Sequence, residues 1–241
     1  MVRYQRDLIA ASYLDNGISE VYNRFKGFVD TIDAPMAGTL CKIHDGFGPF
    51  VIKTHSEPTE AIRDLIDSGL AKASFSLRDP RDTVLSALDH ADRSRKGLDP
   101  TGAFSDLQTI KDAVDFTRRS IKLYSKWKCF GKAFFVRYED FMLEKQNILK
   151  TMSDYFDIEP SNEQLNAIYI KHELAKETAW NFNKGTINRW KTELSLDDLA
   201  LCEAAFAGEL VSMGYDRVIE TPKINLYIKG IFNIAKQYLS K

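Results

Sequence analysis

The chain has no run of apolar residues long enough to span a bilayer, which takes about 20 residues. It also has no excess of charge: 33 Lys and Arg stand against 34 Asp and Glu, a net charge of -1. A general nucleic-acid binder carries a surplus of basic residues. No nucleic-acid partner is therefore expected, and any anion site has to come from local placement of Arg and Lys. Cysteine is scarce: Cys41, Cys129 and Cys202 lie far apart and follow no metal-ligand spacing. They are expected as reduced, buried thiols of a cytosolic protein, with no metal. Repeats and low-complexity linkers are missing. The N-terminal "MVRYQRDLIAASYLDNG" is charged on both flanks and lacks a cleavage pattern, so no signal peptide is read and the expected location is cytoplasmic.

What is present is ordinary globular composition, 44% hydrophobic and 28% charged over 241 residues, enough for one sizeable domain or two small ones. Short β-branched runs at 49–55, 71–77 and 132–138 predict buried strands. Helical periodicity predicts helices over 7–16, 18–30, 58–69, 80–92, 106–127, 141–156, 162–172 and 196–212. Strands separated by helices of this length need crossovers, so they are expected to be parallel. The expected fold is α/β, one three-layer α/β/α sandwich around a central parallel sheet, over residues 1–220. Residues 221–241 are expected to form a separate amphipathic helix. Ligands of such sheets bind outside the carboxyl ends of the strands. That rule aligns Lys53-Thr54-His55, the cluster Arg78 to Asp82, and Arg137-Tyr138-Glu139-Asp140 along one edge.

The corner "SLRDPRD" follows the second strand. Pro80 suits the first helical position, Asp79 a cap, and Asp82 a weak capping box. Val84, Leu85 and Leu88 then face inward. Arg78 is left over, because an arginine ending a buried strand is costly unless paired. It pairs with an acid such as Asp82, or it binds a phosphate bidentately; both readings stay open. Ser86 adds a hydroxyl two turns on. His55 is one of four histidines, and a lone His is usually structural. Its place at a strand end suits general-base work. Lys53 lies on the same face by strict alternation and would steady negative charge on a leaving group. In "NKGTINRWK", Lys184, Arg189 and Lys191 supply charge and Gly185 lets backbone amides approach an anion. Trp190 reads as a core anchor.

In this order the pieces resemble the cytosolic-type sulfotransferases that use 3′-phosphoadenosine-5′-phosphosulfate (PAPS). The family shows Lys-Thr-His after one strand, Arg with Ser eight residues on, "YED" after a further strand, and Arg-Lys-Gly…Trp-Lys near the C-terminus. Here these are Lys53-Thr54-His55, Arg78 with Ser86, Tyr138-Glu139-Asp140, and Asn183-Lys184-Gly185 with Trp190-Lys191. The resemblance covers roughly residues 50–215 and implies a P-loop-NTPase-like sulfotransferase fold. It implies PAPS as co-substrate, His55 as the base that deprotonates the acceptor, and Lys53 on the transferring sulfuryl group. It further implies Arg78 and Ser86 on the 3′-phosphate, Tyr138 on the adenine side, and Lys184 with Gly185 closing over that phosphate. The acceptor would be a small molecule, glycan or lipid bearing a hydroxyl or amine.

The sequence departs from the pattern twice. Asn183 stands where the family has an arginine, so one donor fork is lost, and whether Arg189 substitutes for it stays open. The N-terminus "MVRYQRD" has no strand and no Gly-Thr-Thr loop for the 5′-phosphosulfate before the helix "LIAASYLDNG". An N-terminally shortened version of a longer protein is the expectation. A different 5′ site using Arg3 or Arg6, and a degenerate sulfotransferase that binds a nucleotide or acts as a scaffold, are the alternatives. A P-loop kinase is disfavoured, since no Gly-x-x-x-x-Gly-Lys-Ser/Thr occurs. The tail 222–241 carries Ile224, Ile228, Ile231 and Phe232 at helical spacing with interspersed lysines. It is expected to pack on the domain or on a second copy in a homodimer, with an anionic membrane surface as the alternative. Acceptor-binding loops are expected at 31–48 and 93–106, where Phe47, Phe50 and Phe104 offer apolar lining or core contacts.

Overall fold

Side-chain caps set several helix starts. The computed structural model describes residues 28–98, 102, 104–174 and 185–219. Asp33 accepts the Met36 N–H at 2.9 Å and opens α1 (Ala34–Phe47), with Pro35 in its first turn. Thr59 caps α2 (Glu60–Asp67), Asp79 caps α3 (Pro80–Arg95) with Pro80 at the first position, and Ser195 caps α9 (Leu196–Ala205). The remaining helices are α4 (Ile110–Phe130), α5 (Tyr138–Leu143), α6 (Lys145–Phe156), α7 (Asn162–Leu174), α8 (Trp190–Glu193) and α10 (Ala207–Ser212). The strands are β1 (Phe28–Val29), β2 (Lys53–Thr54), β3 (Ala73–Leu77) and β4 (Ala133–Arg137).

The described chain is thus mostly helical, with strands paired two by two: β1 with β2, and β3 with β4. β1 and β2 run parallel, Phe28 opposite Lys53 and Val29 opposite Thr54, as an α/β fold requires. Several expected elements differ. The loop expected at 31–48 is helix α1 over most of its length. Its cap and the core-facing Met36, Ala37 and Leu40 outweigh the breaking tendency of Gly38. The strand expected over 49–55 narrows to Lys53–Thr54, and Phe28–Val29 is a strand where a helix was expected. A two-residue strand has no period to read. The helix expected over 141–156 breaks at Glu144, and that over 196–212 breaks at the buried Phe206. The expected helix at 7–16, the tail 222–241 and Lys184 lie outside the described residues.

The chain forms two compact units, residues 1–76 with 123–177 and residues 77–122 with 178–241. The first is built on two apolar clusters. In one, Ile32, Leu40, Ile62 and Trp127 gather with flanking Phe50, Ile52, Phe75 and Phe135. Phe50 is therefore a core contact. In the other, Val136, Phe141, Leu149, Met152, Ile158 and Ile168 pack β4, α5, α6 and α7 together. The second unit closes around Leu85, Trp190 and Leu199. There Phe104 packs edge-on against His90 and Phe116, with ring centroids 5.0 and 4.9 Å apart. Among the described residues no helix is long and apolar enough to cross a membrane.

The three thiols differ from the expectation of uniform burial: Cys202 is buried, Cys41 half-buried and Cys129, one residue from the end of α4, exposed. Burial pushes the Cys202 thiol up to about 12. A thiol-reactive disulfide reagent is expected to modify Cys129 in the native protein and Cys202 only on unfolding. Leu149 and Met152 have no exposure. Leu149→Ala is expected to cost about 2–5 kcal/mol, read from the denaturant midpoint, whereas Leu143→Ala, at 71% exposure, stays within about 0.5 kcal/mol.

Candidate functional site

At the end of β2, in the first unit, Lys53 and His55 are exposed and Thr54 half-buried between them, the alternation the sequence implies. A run of short bonds fixes this end. The Thr54 hydroxyl donates to the Asp30 carbonyl at 3.3 Å and accepts the Ser56 N–H at 2.8 Å, bracketing His55. The buried Ser56 hydroxyl accepts the Ile32 N–H at 3.3 Å and donates to the Glu57 carbonyl at 2.9 Å. The Trp127 indole N–H donates to the Ser56 carbonyl at 3.0 Å. The Thr59 hydroxyl donates to the Ile32 carbonyl at 2.6 Å while capping α2. His55 therefore leaves a strand whose next residues are anchored, so its backbone is held while its ring faces outward. Desolvation by neighbouring atoms, helped by the Lys53 charge and opposed by Asp30, pulls the imidazole below its ordinary value. A neutral imidazole able to accept a proton is the result. Tyr138, in the same unit, is half-buried and opens α5 directly after β4, with Glu139 buried behind it.

In the second unit the corner after β3 is a network of buried charge. Arg81, at 1% exposure, sends Nε and Nη2 to the Asp79 carboxylate at 3.0 and 2.8 Å and Nη1 to Glu203 of α9 at 2.5 Å. Its guanidinium lies 3.7 Å from the centre of the Trp190 ring, a desolvated cation–π contact. Burial opposes the charge, but the bonds and charges of Asp79 and Glu203 outweigh it and hold Arg81 firmly protonated. Glu203, with no exposure, also takes the Arg217 Nε–H and the Val218 N–H, each at 3.3 Å. Asp79 thus does two jobs, capping α3 and neutralising Arg81.

Asp82 is fully buried and accepts the Trp190 backbone N–H at 3.0 Å; the Asn188 N–H bonds to it as well. Burial pushes its carboxyl up, against those bonds and the charge of Arg78. It is not the second half of a capping box, as its spacing implies, because the turn before α8 claims it. Arg78 is one-fifth exposed at the side chain, with Nη2 3.7 Å from Asp82 Oδ2, too long for a hydrogen bond. The same Nη2 donates to the Thr186 carbonyl at 2.8 Å, joining positions 108 residues apart. Gly185 precedes Thr186 with φ at +64°, and Asn188 has φ at +59°. Both sit in the left-handed region that Gly and Asn tolerate best. Arg78 and the Gly185 segment therefore meet in this unit, and Ser86 is half-buried two turns along α3. Trp190 is the core anchor expected, 4% exposed against Leu85 and Leu199.

Arg189, a further cation of this segment, is committed to acidic partners. It is 4% exposed, with Nη2 2.7 Å from Asp89 and a two-pronged bond to Glu193 at 2.8 and 2.7 Å. The Glu193 bond and the Asp89 charge raise it above its ordinary value despite burial. Sequence reasoning named Asp82 as an acid for Arg78 but missed the other supports: Thr54, Ser56 and Trp127 around His55, and Arg81 with Glu203 beside Arg78. The spacing of Asp82 from Arg78, one helical turn, was the legible part; Glu203 carried no local signal.

Glu203→Ala leaves Arg81 with Asp79 alone. It is expected to cost about 3–5 kcal/mol, the range for breaking a buried ion pair, measured by chemical denaturation. Comparison with protein-family models and with curated proteins returns no match.

Proposed function

We propose that the chain is a PAPS-dependent sulfotransferase, with His55 as general base, acting on a hydroxyl or amine acceptor. One observation carries the reading: Arg78 and the Gly185–Thr186 backbone, 108 residues apart, are joined by a 2.8 Å hydrogen bond. Those are the two motifs that a 3′-phosphate would need side by side. The proposal includes the full three-layer α/β/α sandwich of that enzyme class, of which the parallel β1–β2 pair is a part.

The chemistry is an in-line displacement at sulfur. The acceptor oxygen or nitrogen forms a bond to sulfur as the bond from sulfur to the 5′-phosphate oxygen breaks. The acceptor proton passes to His55, and adenosine 3′,5′-bisphosphate leaves with the electron pair. By analogy with phosphoryl transfer, such a step needs positioning and charge stabilisation more than covalent catalysis. Lys53 supplies a cation for the transferring group, and its charge also keeps the His55 ring neutral. Arg78 and Ser86 take the 3′-phosphate, Tyr138 the adenine, and Lys184 with Gly185 the outer side of that phosphate.

A second reading has its own support. Arg189 is committed to Asp89 and Glu193, so the cation missing at Asn183 has no replacement there. That favours a domain which binds the nucleotide without turnover. Calorimetric titration with adenosine 3′,5′-bisphosphate tests the part common to both readings. Micromolar affinity, about -8 kcal/mol, weakened about a hundredfold by Arg78→Ala, is expected; no binding by the folded protein overturns both. Sulfuryl transfer from PAPS then separates them. Turnover that His55→Ala lowers by about 10²–10⁴ supports the enzyme, and binding without turnover supports the non-catalytic nucleotide-binding domain. The sign of the pH profile is fixed by the lowered His55 value. At pH 6.5, the ordinary histidine value, the base is still mostly unprotonated, so the acid limb of kcat/KM is expected below that pH.

A further inference from the structure

We propose that Asp82 is a positioning residue of the anion site: its carboxylate directs Arg78 and seats the Gly185 turn at the same time. The proposal rests on the reading of Arg78 as an anion-binding residue. Asp82 lies one helical turn after Arg78, on the side of α3 that has no exposure. One oxygen, Oδ1, is filled by the Trp190 backbone N–H at 3.0 Å. The other, Oδ2, is buried and has no hydrogen-bond partner among the described residues. It faces Arg78 Nη2 at 3.7 Å. A buried carboxylate oxygen left without a hydrogen bond is costly, and the only cation within ion-pair distance of it among the described residues is Arg78.

The arrangement makes a closed circuit. Arg78 Nη2 lies between the Asp82 carboxylate and the Thr186 carbonyl, bonding to the latter at 2.8 Å. Asp82 holds the far end of the same turn through Trp190. One carboxylate thereby grips both ends of residues 186–190, directly at one end and through Arg78 at the other. Arg81 cannot do this, because Asp79 and Glu203 saturate it. Removing the charge of Asp82 while keeping its shape frees the Arg78 side chain to adopt other rotamers. An anion then has to restore the geometry from its own binding energy.

The test is a double-mutant cycle read by calorimetry, with adenosine 3′,5′-bisphosphate and adenosine 5′-monophosphate as ligands. Asp82→Asn keeps an acceptor for the Trp190 N–H and removes the charge. Asp82→Ser, whose hydroxyl also accepts, replaces it should the Asn variant lose its fold by circular dichroism. The expected result is a loss of bisphosphate affinity of about tenfold, with monophosphate affinity unchanged. In an Arg78→Ala background the same substitution is expected to cost nothing further. A purely structural Asp82 lowers both ligands alike and adds its loss to that of Arg78→Ala, which overturns the proposal while leaving the anion reading intact. Absence of bisphosphate binding by the folded wild type overturns the anion reading and this proposal with it.

Discussion

Arg81 is a full charge with 1% exposure, and the second unit is arranged around keeping it there. Removing a guanidinium from water costs several kcal/mol, and three partners offset that cost. Asp79 takes it in two bonds, Glu203 in a third, and the Trp190 ring covers its face. Each partner is itself committed elsewhere. Asp79 starts α3, Glu203 ties in Arg217 and Val218, and Trp190 packs on Leu85 and Leu199. Such a knot is weak as a source of net stability but strict about geometry. It fixes the start of α3 against α8 and α9. Arg78, three residues before Arg81, inherits its direction from that start.

The first unit achieves the same end by neutral means. The hydroxyls of Thr54, Ser56 and Thr59 and the Trp127 indole hold the backbone around His55. Neutral bonds of this kind contribute about 1 kcal/mol each, but here three hydroxyls make them within the six positions from Thr54 to Thr59, at the end of a two-residue strand. They compensate for how little sheet there is. These bonds hold the backbone on either side of His55, and the charge beside its ring comes from Lys53.

How much of this was legible depends on range. Local signals read well: the Asp79 cap, Pro80 at the first helical turn, the Ser195 start of α9 and Trp190 as an anchor all depend on residues within a few positions. The candidate Arg78 was legible because a cation at a buried strand end needs a reason. Its partner Thr186 was not, since a backbone carbonyl has no sequence signature. Glu203, 122 residues from Arg81, looks like any helical glutamate until the fold buries it. Helix α1 was expected as an acceptor loop, although its Asp33 cap and a Pro in the first turn, where Pro is well tolerated, are local helix signals. The commitment of Arg189 to Asp89 and Glu193 was equally invisible: three ordinary surface-type residues that packing turns into a closed set.

The central claim is that the corner after β3 presents Arg78, with the Gly185 turn, to a phosphate. The most direct measurement is a crystal structure of the chain with adenosine 3′,5′-bisphosphate. The account predicts the 3′-phosphate within hydrogen-bond distance of the Arg78 guanidinium and the backbone around Gly185, with Arg81 still paired to Asp79 and Glu203. A bisphosphate bound elsewhere, with Arg78 engaged only by Thr186 and Asp82, would contradict it.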